Sequence, residues 1–503
     1  MHIFPKWADL GDTPRSDDTI NTWEQELSRA NEYYYYFSGE VFNERVRSED
    51  VEQENAPLLY PVGVNLVRML ALAHADAMYG DWDELPLQWR AARNQEANSD
   101  IKRAMELADQ ILIDNKAGRM LWELELNRQV YGGGAIKIAP DFAKPGRIAW
   151  SLISRGSFFP IWDPEDPDTL LEAVTWSILT KEQLRLKFGI ETSKSVVSRV
   201  ERWTPYEHEF IIDGQQMPQY SGFNPYGIVP FEYIPRYRFG NWFGEALTDD
   251  LIDPQNEINM RLADLAEAVN YNAHPTRYGL NLPSDFNAEN FPLGVNSMWD
   301  LGRALGSSPP PEVGVLEIKN PIPQGAFEYI NFIYDWSRTS TFAPPIAFGE
   351  DNGGGQRSGI TLEIRLWPLL KSIKRSRSYL AAGLKGALLK SAYILKQKEF
   401  SGMPQRAVQA MINGAISPNF HKVLPRDQQA LVDEVVKLTS CTPPMISIES
   451  AQDILGRGEA EVDRIVNMLQ DERFQTVMER AFANQANGED EDDPVADEGE
   501  KEE

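Results

Sequence analysis

Residues 348–377 read FGEDNGGGQRSGITLEIRLWPLLKSIKRSR, a glycine-rich loop feeding a strongly basic helix. A glycine loop ahead of a helix N-terminus is a common place to hold phosphate. A P-loop, however, needs G-x-x-x-x-G-K-[ST], with its lysine on the β/γ-phosphates and its hydroxyl on magnesium. Here Gly359 is followed by Ile360 and Thr361, with no lysine and no clear preceding strand. Nucleotide chemistry is therefore disfavoured. What the loop does offer is backbone freedom at Gly353, Gly354 and Gly355, flanked by Glu350, Asp351, Asn352, Gln356 and Arg357.

The helix behind the loop has no Asp or Glu between Ile364 and Lys398, yet carries Arg365, Lys371, Lys374, Arg375, Arg377, Lys385, Lys390, Lys396 and Lys398. Like charges at i+3 and i+4 destabilise an isolated helix. Such a row needs acidic surroundings: surfaces of its own subunit, of adjacent subunits, or DNA. The rest of the chain has acid in excess, with a formal net charge of -27 over 503 residues and a pI near 4.7. A surface that acidic repels phosphate over a Debye length of about 8 Å, which argues against a nucleic-acid coat but not against brief or sliding contact.

Composition is that of a folded protein, 42% hydrophobic and 25% charged, long enough for about three domains. Cys441 is the single cysteine, so no internal disulfide can form and no metal site can rest on paired cysteines. The opening MHIFPKWADLGDTPRSDDTINTW lacks the basic-then-apolar plan of a signal peptide. No uncharged apolar run approaches the roughly 18 residues of a membrane span. The five histidines are scattered and no G-x-S-x-G elbow is present. The cluster Asp249, Asp250, Asp253 and Glu257 has the chemistry to hold a hard cation, although a solvated helix N-terminus explains it more simply. No catalytic residue, cofactor or metal ligand is expected.

Along the chain, helices are expected from Asp17 to about Val46 (with four consecutive tyrosines, Tyr33 to Tyr36), Pro61 to Tyr79 with Gly80 at C′, Ser99 to Ile113 and Arg119 to Tyr131. Residues 147–240 read as short strands punctuated by Pro, Asp and Gly. Helical spacing returns at Ile258, Leu262, Leu265 and Val269, in a segment also bearing Asp249, Asp250, Asp253, Glu257, Asp264 and Glu267. Pro254 fits only a first turn, which places the N-cap at Asp253. Strand-like SMWDLG and GVLEI follow, then a helix from about Pro323 to Ser340. The opening loop comes next, then a helix from Gly359 to about Phe400 that Pro368 should kink. RDQQALVDEVVKLT and GEAEVDRIVNMLQDERFQTVMERAFA read as helices, and the acidic NGEDEDDPVADEGEKEE as disordered. Trp242, Trp299, Trp336 and Trp367 fall near joints between segments, with interface and core roles both open.

That order of elements resembles the portal protein of tailed bacteriophages. LYPVGVNLVRMLALAHADAMYGD is similar to an early family helix. NPYGIVPFEYIPR followed by ALTDDLIDPQNEINMRLADLAEAVNYNAHP resembles the passage into the first stem helix, and PPMISIESAQDILGRGEAEVDRI the helical end. The likeness spans roughly residues 40–480.

The resemblance implies an α+β subunit. An N-terminal extension (1–40) would precede a mixed α/β wing (41–243). Stem helices at 244–275 and 321–343 would enclose a small α/β clip (276–320). A tunnel loop (344–358), a long helix (359–399), a helical crown (400–482) and an acidic tail (483–503) would complete it. It further implies a homo-oligomeric ring, usually of twelve, at one capsid vertex of the virion, assembled in the host cytoplasm without a membrane. Double-stranded DNA would pass through it, with Glu350 to Arg357 facing or flanking the duplex and the acidic stem residues lining the channel. Implied partners are the terminase large subunit, which would carry the ATPase, the major capsid and scaffolding proteins, and a head-completion or adaptor protein. Another connector of the virion, or a metal-dependent enzyme using the acidic cluster, are the rival readings.

Overall fold

The computed structural model describes residues 17–40, 63–80, 85–93, 98–141, 146–273, 277–282, 309–315, 324–350, 359–397, 403–423, 428–441, 445 and 451. Two compact units divide the chain, Met1–Val423 and Leu424–Glu503.

The first unit opens with α1 (Asp17–Ser38) and α2 (Leu66–Tyr79). Trp23, Leu27, Ala30, Tyr33 and Tyr36 recur at helical spacing and are buried, so α1 is packed into the fold; Trp23 donates from Nε1 to Pro160 O at 3.2 Å. The Asn65 side chain caps α2 by accepting from the Arg68 N–H. Gly80 ends the helix at φ 74°, where a Cβ would stand 2.1 Å from Lys422 O, so only glycine fits.

β1 (Leu87–Ala91), α3 (Ser99–Asp114) and α4 (Ala117–Tyr131) follow. Then come β2 (Gly133–Pro140), β3 (Ile148–Ile153), β4 (Phe158–Trp162), β5 (Leu170–Thr180), α5 (Lys181–Phe188), β6 (Val196–Trp203), β7 (Glu207–Ile212), β8 (Gln215–Gln216), β9 (Gly222–Phe223) and β10 (Phe231–Pro235). Two antiparallel sheets result, one ordered β10-β2-β3 and the other β4-β5-β6-β7-β8 with β9 on β7. The β-rich reading of 147–240 holds except at α5, where Thr180 and Gln183 form a reciprocal capping box and Gly189 closes the turn.

After a 3₁₀ turn at Asp249–Leu251 comes α6 (Ile252–Ala273), then β11 (Arg277–Leu280) paired antiparallel with β12 (Glu312–Val315), α7 (Gln324–Ser340) and α8 (Gly359–Leu395). Asp253 is therefore a first-turn residue rather than the N-cap, because the 3₁₀ turn carries the helical path in from Thr248. Pro368 lies inside α8, which continues through it. α9 (Gln405–Ile412) and β13 (Ile416–Phe420) close the unit, with β13 antiparallel to β1. The main core gathers Ile101, Leu112, Leu121, Leu124, Ile136, Trp150, Leu380, Leu384, Leu388 and Met411 from α3, α4, β2, β3, α8 and α9. In the second unit α10 (Gln428–Ser440) is described. SMWDLG, the GEAEV segment, the acidic tail and Trp299 lie outside the described residues.

Candidate functional site

The base of α6 is fixed by side chains of α1 and by backbone N–H groups at and just before the start of α2. Gln255 is buried, and its Oε1 accepts from the Leu66 N–H at 2.6 Å, while Asn259 Oδ1 accepts from Val64 N–H at 2.8 Å. Tyr33 donates to Asp249 at 2.5 Å and Tyr36 pairs with Asn256. The tyrosine run thus resolves into Tyr33 and Tyr36 turned inward, with Tyr34 exposed. Burial and the bond to Asp249 push the Tyr33 phenol far up from its ordinary value. Burial also raises Asp250, with Arg236 opposing and Asp249 adding to the rise. α7 packs back on α6 through Ile258 and Leu262 against Ile333 and Tyr334. Of the expected apolar stripe, Ile258 is buried, but Val269 is 50% exposed.

The acidic residues of α6 share one face. Asp253, Glu257, Asp264 and Glu267 stand at i, i+4, i+11 and i+14, with Met260 at i+7. Glu257 and Asp264 are bridged by Arg261 at 2.8 and 2.9 Å, and Tyr329 donates to Glu257. Asp253 and Glu267 make no ion pair among the described residues. Asp249, Asp250, Asp253 and Glu257 are not gathered for a cation: no group of three or more His, Cys, Asp or Glu among the described residues is placed to hold a metal. Nor is any helix among those residues long and apolar enough to cross a membrane.

At the far end of α7 the chain reverses to form the base of the loop. Phe342 takes a left-handed φ of 60°, and Ala343 N–H returns to Arg338 O at 2.9 Å. A 3₁₀ turn, Pro345–Phe348, leads to Gly349 at φ 77°. The Arg338 side chain, 5% exposed, pairs with Asp335 at 2.5 Å and Glu350 at 2.9 Å and lies over the Tyr334 ring at 4.4 Å. Glu350, read in sequence with the loop, is tied to Arg338 of α7. Asp351, Asn352, Gly353, Gly354, Gly355, Gln356 and Arg357 lie outside the described residues.

α8 divides the cationic row between two faces. Inward, Arg377 Nε donates to Met78 O at 2.8 Å with its guanidinium over Phe420, and burial lowers it to about 10. Lys390 pairs with the buried Glu232 at 2.6 Å and also donates to Phe231 O. Arg128, fully buried beside Glu125, donates to Pro235 O, Ser376 O and Ser376 Oγ at 3.0, 2.9 and 3.0 Å. Gly383 and Gly386 let α8 touch β10: a Cβ would lie 2.5 Å from Ile234 at the first and 2.4 Å from Glu232 at the second. Outward, Lys371 sits over Trp367 at 4.4 Å, Arg375 reaches Tyr237 and Phe342 at 5.1 and 5.8 Å, and Lys374 and Lys385 are exposed. Trp336 and Trp367 are 52% and 53% exposed, whereas Trp242 packs on Trp162 at 5.8 Å. Sequence reasoning missed Arg128 and Arg338, because a lone arginine in a helix carries no mark of burial. The Glu125–Arg128 spacing of i, i+3 was the available signal for the first.

Comparison with known proteins supplies what geometry alone does not. A profile of the family described as phage portal protein, SPP1 Gp6-like, matches residues 16–473. The chain belongs to that family. No curated protein matches it. The matched span takes in α1, the tied base of α6, the loop base at Arg338 and both faces of α8, so the portal family relation covers every part of this site. It begins at residue 16, and α1 is accordingly part of the portal match and of the packed fold. Portal proteins are structural components of the virion.

Proposed function

We propose that this portal subunit assembles into a ring at one vertex of the capsid, through whose channel double-stranded DNA enters and leaves the head. The observation that carries the proposal is the order of parts within the family match: α6 with its acidic face, an intervening segment holding the β11–β12 pair, α7 returning along α6, a glycine loop, and the long α8. In this reading 244–275 and 321–343 form the stem, 276–320 the clip on which terminase docks, and 41–243 and 400–482 the wing and crown. The loop residues Asp351 to Arg357 face the duplex, with Glu350 holding the loop base to Arg338. An acidic lining repels phosphate and lets DNA slide instead of adhering. The stripe Asp253, Glu257, Asp264 and Glu267 has the charge for that role, and its single-sidedness equally suits contact with a neighbouring subunit. Scaffolding protein, major capsid protein and an adaptor contact the outside of the ring.

Electron microscopy of the purified protein, with its mass from light scattering, tests the reading. Rings with a hole wide enough for duplex DNA, at about twelve times 57.0 kDa, are expected. A monomer at every concentration would overturn it. Deletion of Gly353 to Gly355 is expected to impair packaging while leaving the ring intact, since glycine is the residue type that changes backbone conformation most cheaply.

A further inference from the structure

We propose that the outer basic face of α8 is the surface that grips the next copy of this chain, and that its counterpart there is the acidic stripe of α6. The inference rests on the ring reading and adds to it the identity of the contact. Ile364, Trp367, Lys371, Lys374, Arg375 and Lys385 stand at i, i+3, i+7, i+10, i+11 and i+21, one exposed face of α8. None of its four cations has a carboxylate within ion-pair distance among the described residues. On α6, Asp253 and Glu267 lack a cation in the same way, and Arg261 offsets only part of the charge of Glu257 and Asp264.

Length and symmetry both favour the match. Asp253 to Glu267 and Lys371 to Lys385 are each separated by fourteen positions, about 21 Å of helix at 1.5 Å per residue. A cyclic ring joins subunits through two different patches, so one chain must carry both halves of the contact. Opposite-sign faces on α6 and α8 meet that requirement, whereas a two-fold pairing of either face would set like charge on like. Each face also holds apolar surface to bury. Met260 is 49% exposed within the acidic stripe, and Ile364 and Trp367 are 66% and 53% exposed on the basic one. The charges set partner and register, and the apolar side chains contribute the desolvated centre.

Charge reversal decides the matter. One variant carries K371E, K374E and K385E, the other D264K and E267K, all at exposed positions. Each is first checked by circular dichroism and thermal melting for an unaltered fold. Assembly is followed by light scattering and electron microscopy across protein concentration and salt. Each variant alone is expected to need at least ~10-fold more protein for half-assembly than the unmodified chain, because every contact becomes like-on-like. Mixed one to one, the two should form rings again, since an alternating ring restores opposite charge at every contact. The chain carrying all five reversals should likewise assemble. Unmodified chain forming rings while both variants assemble equally well, or while the mixture fails to recover, overturns the inference and leaves the ring reading standing. A D264K/E267K ring that assembles normally but passes DNA differently also overturns it, because the stripe then faces the channel. Unmodified chain that never forms rings overturns the ring reading itself.

Discussion

Lys374 and Arg377 stand three residues apart on one helix, and their surroundings are opposite. Lys374 is exposed and meets no carboxylate among the described residues. Arg377 is turned inward, donates to the carbonyl of Met78 and lies over the Phe420 ring. The same division holds further along: Lys385 faces out and Lys390 is locked onto Glu232. A cationic row that looks uniform in sequence is two surfaces, one fastening α8 to its own fold and one left for something else. If the division is right, substitutions on the two faces must differ in what they damage.

The largest effect belongs to the inner face. Arg128 holds α4, β10 and α8 together from a fully buried position, so Arg128→Ala strands the Glu125 carboxylate and several carbonyls. A loss of about 3–5 kcal/mol is expected, seen as a large fall in Tm. Replacing both partners, Glu125→Leu with Arg128→Met, should cost far less, because no unpaired charge stays buried. Equal losses from the single and double variants would mean that packing rather than charge fastens the helix here.

Gly383→Ala comes next. Alanine raises helix propensity by about 1 kcal/mol over glycine, and on an outward face it would stabilise. Here the new methyl meets Ile234 at 2.5 Å. A net loss of about 1–3 kcal/mol is expected from overpacking, measured by thermal or urea unfolding. A gain in stability would show that α8 does not press against β10 as described.

An inward charge with no counter-ion sharpens the contrast. Asp109 on α3 accepts the Trp89 N–H at 3.3 Å and pairs with no cation among the described residues; burial raises it to about 6. Since the folded state holds this proton more tightly than the unfolded chain, stability falls as pH rises from about 4 to 6 and stays lowered above that. Asp109→Asn keeps an acceptor and removes the charge. It should raise stability by about 1 kcal/mol at pH 7, after discounting for partial exposure, with the gain vanishing near pH 4. A gain that persists at pH 4 would assign the effect to something other than ionisation.

What could be read from the sequence follows the same line between local and distant causes. The end of α2 was visible because its determinant, Gly80, is the next residue, whereas its start was read at Pro61 and lies at Leu66, behind the Asn65 cap. The order α6, segment, α7, loop, α8 was visible for the same reason, and with it the family. The inward and outward assignment of the cations was not, since it depends on Met78, Phe231 and Glu232, which come from far along the chain. Glu350 shows the cost of reading a loop by adjacency. Three residues from the glycines, it belongs by contact to Arg338 of the preceding helix.

The smallest effect is the most discriminating. Lys374→Ala removes an exposed charge from a helix that is already crowded with like charge, at a residue with no ion-pair partner among the described residues. For the dissociated subunit, Tm should change by no more than about 0.5 kcal/mol equivalent, and in either direction. In the same preparation, assembly measured by light scattering should weaken and become less sensitive to salt, because one of the charges that salt screens has gone. Stability and assembly are then separated in one side chain. Should the dissociated subunit instead lose as much as it does with an inner-face change, Lys374 would belong to the fold, and the division of α8 into two faces would have to be redrawn around it.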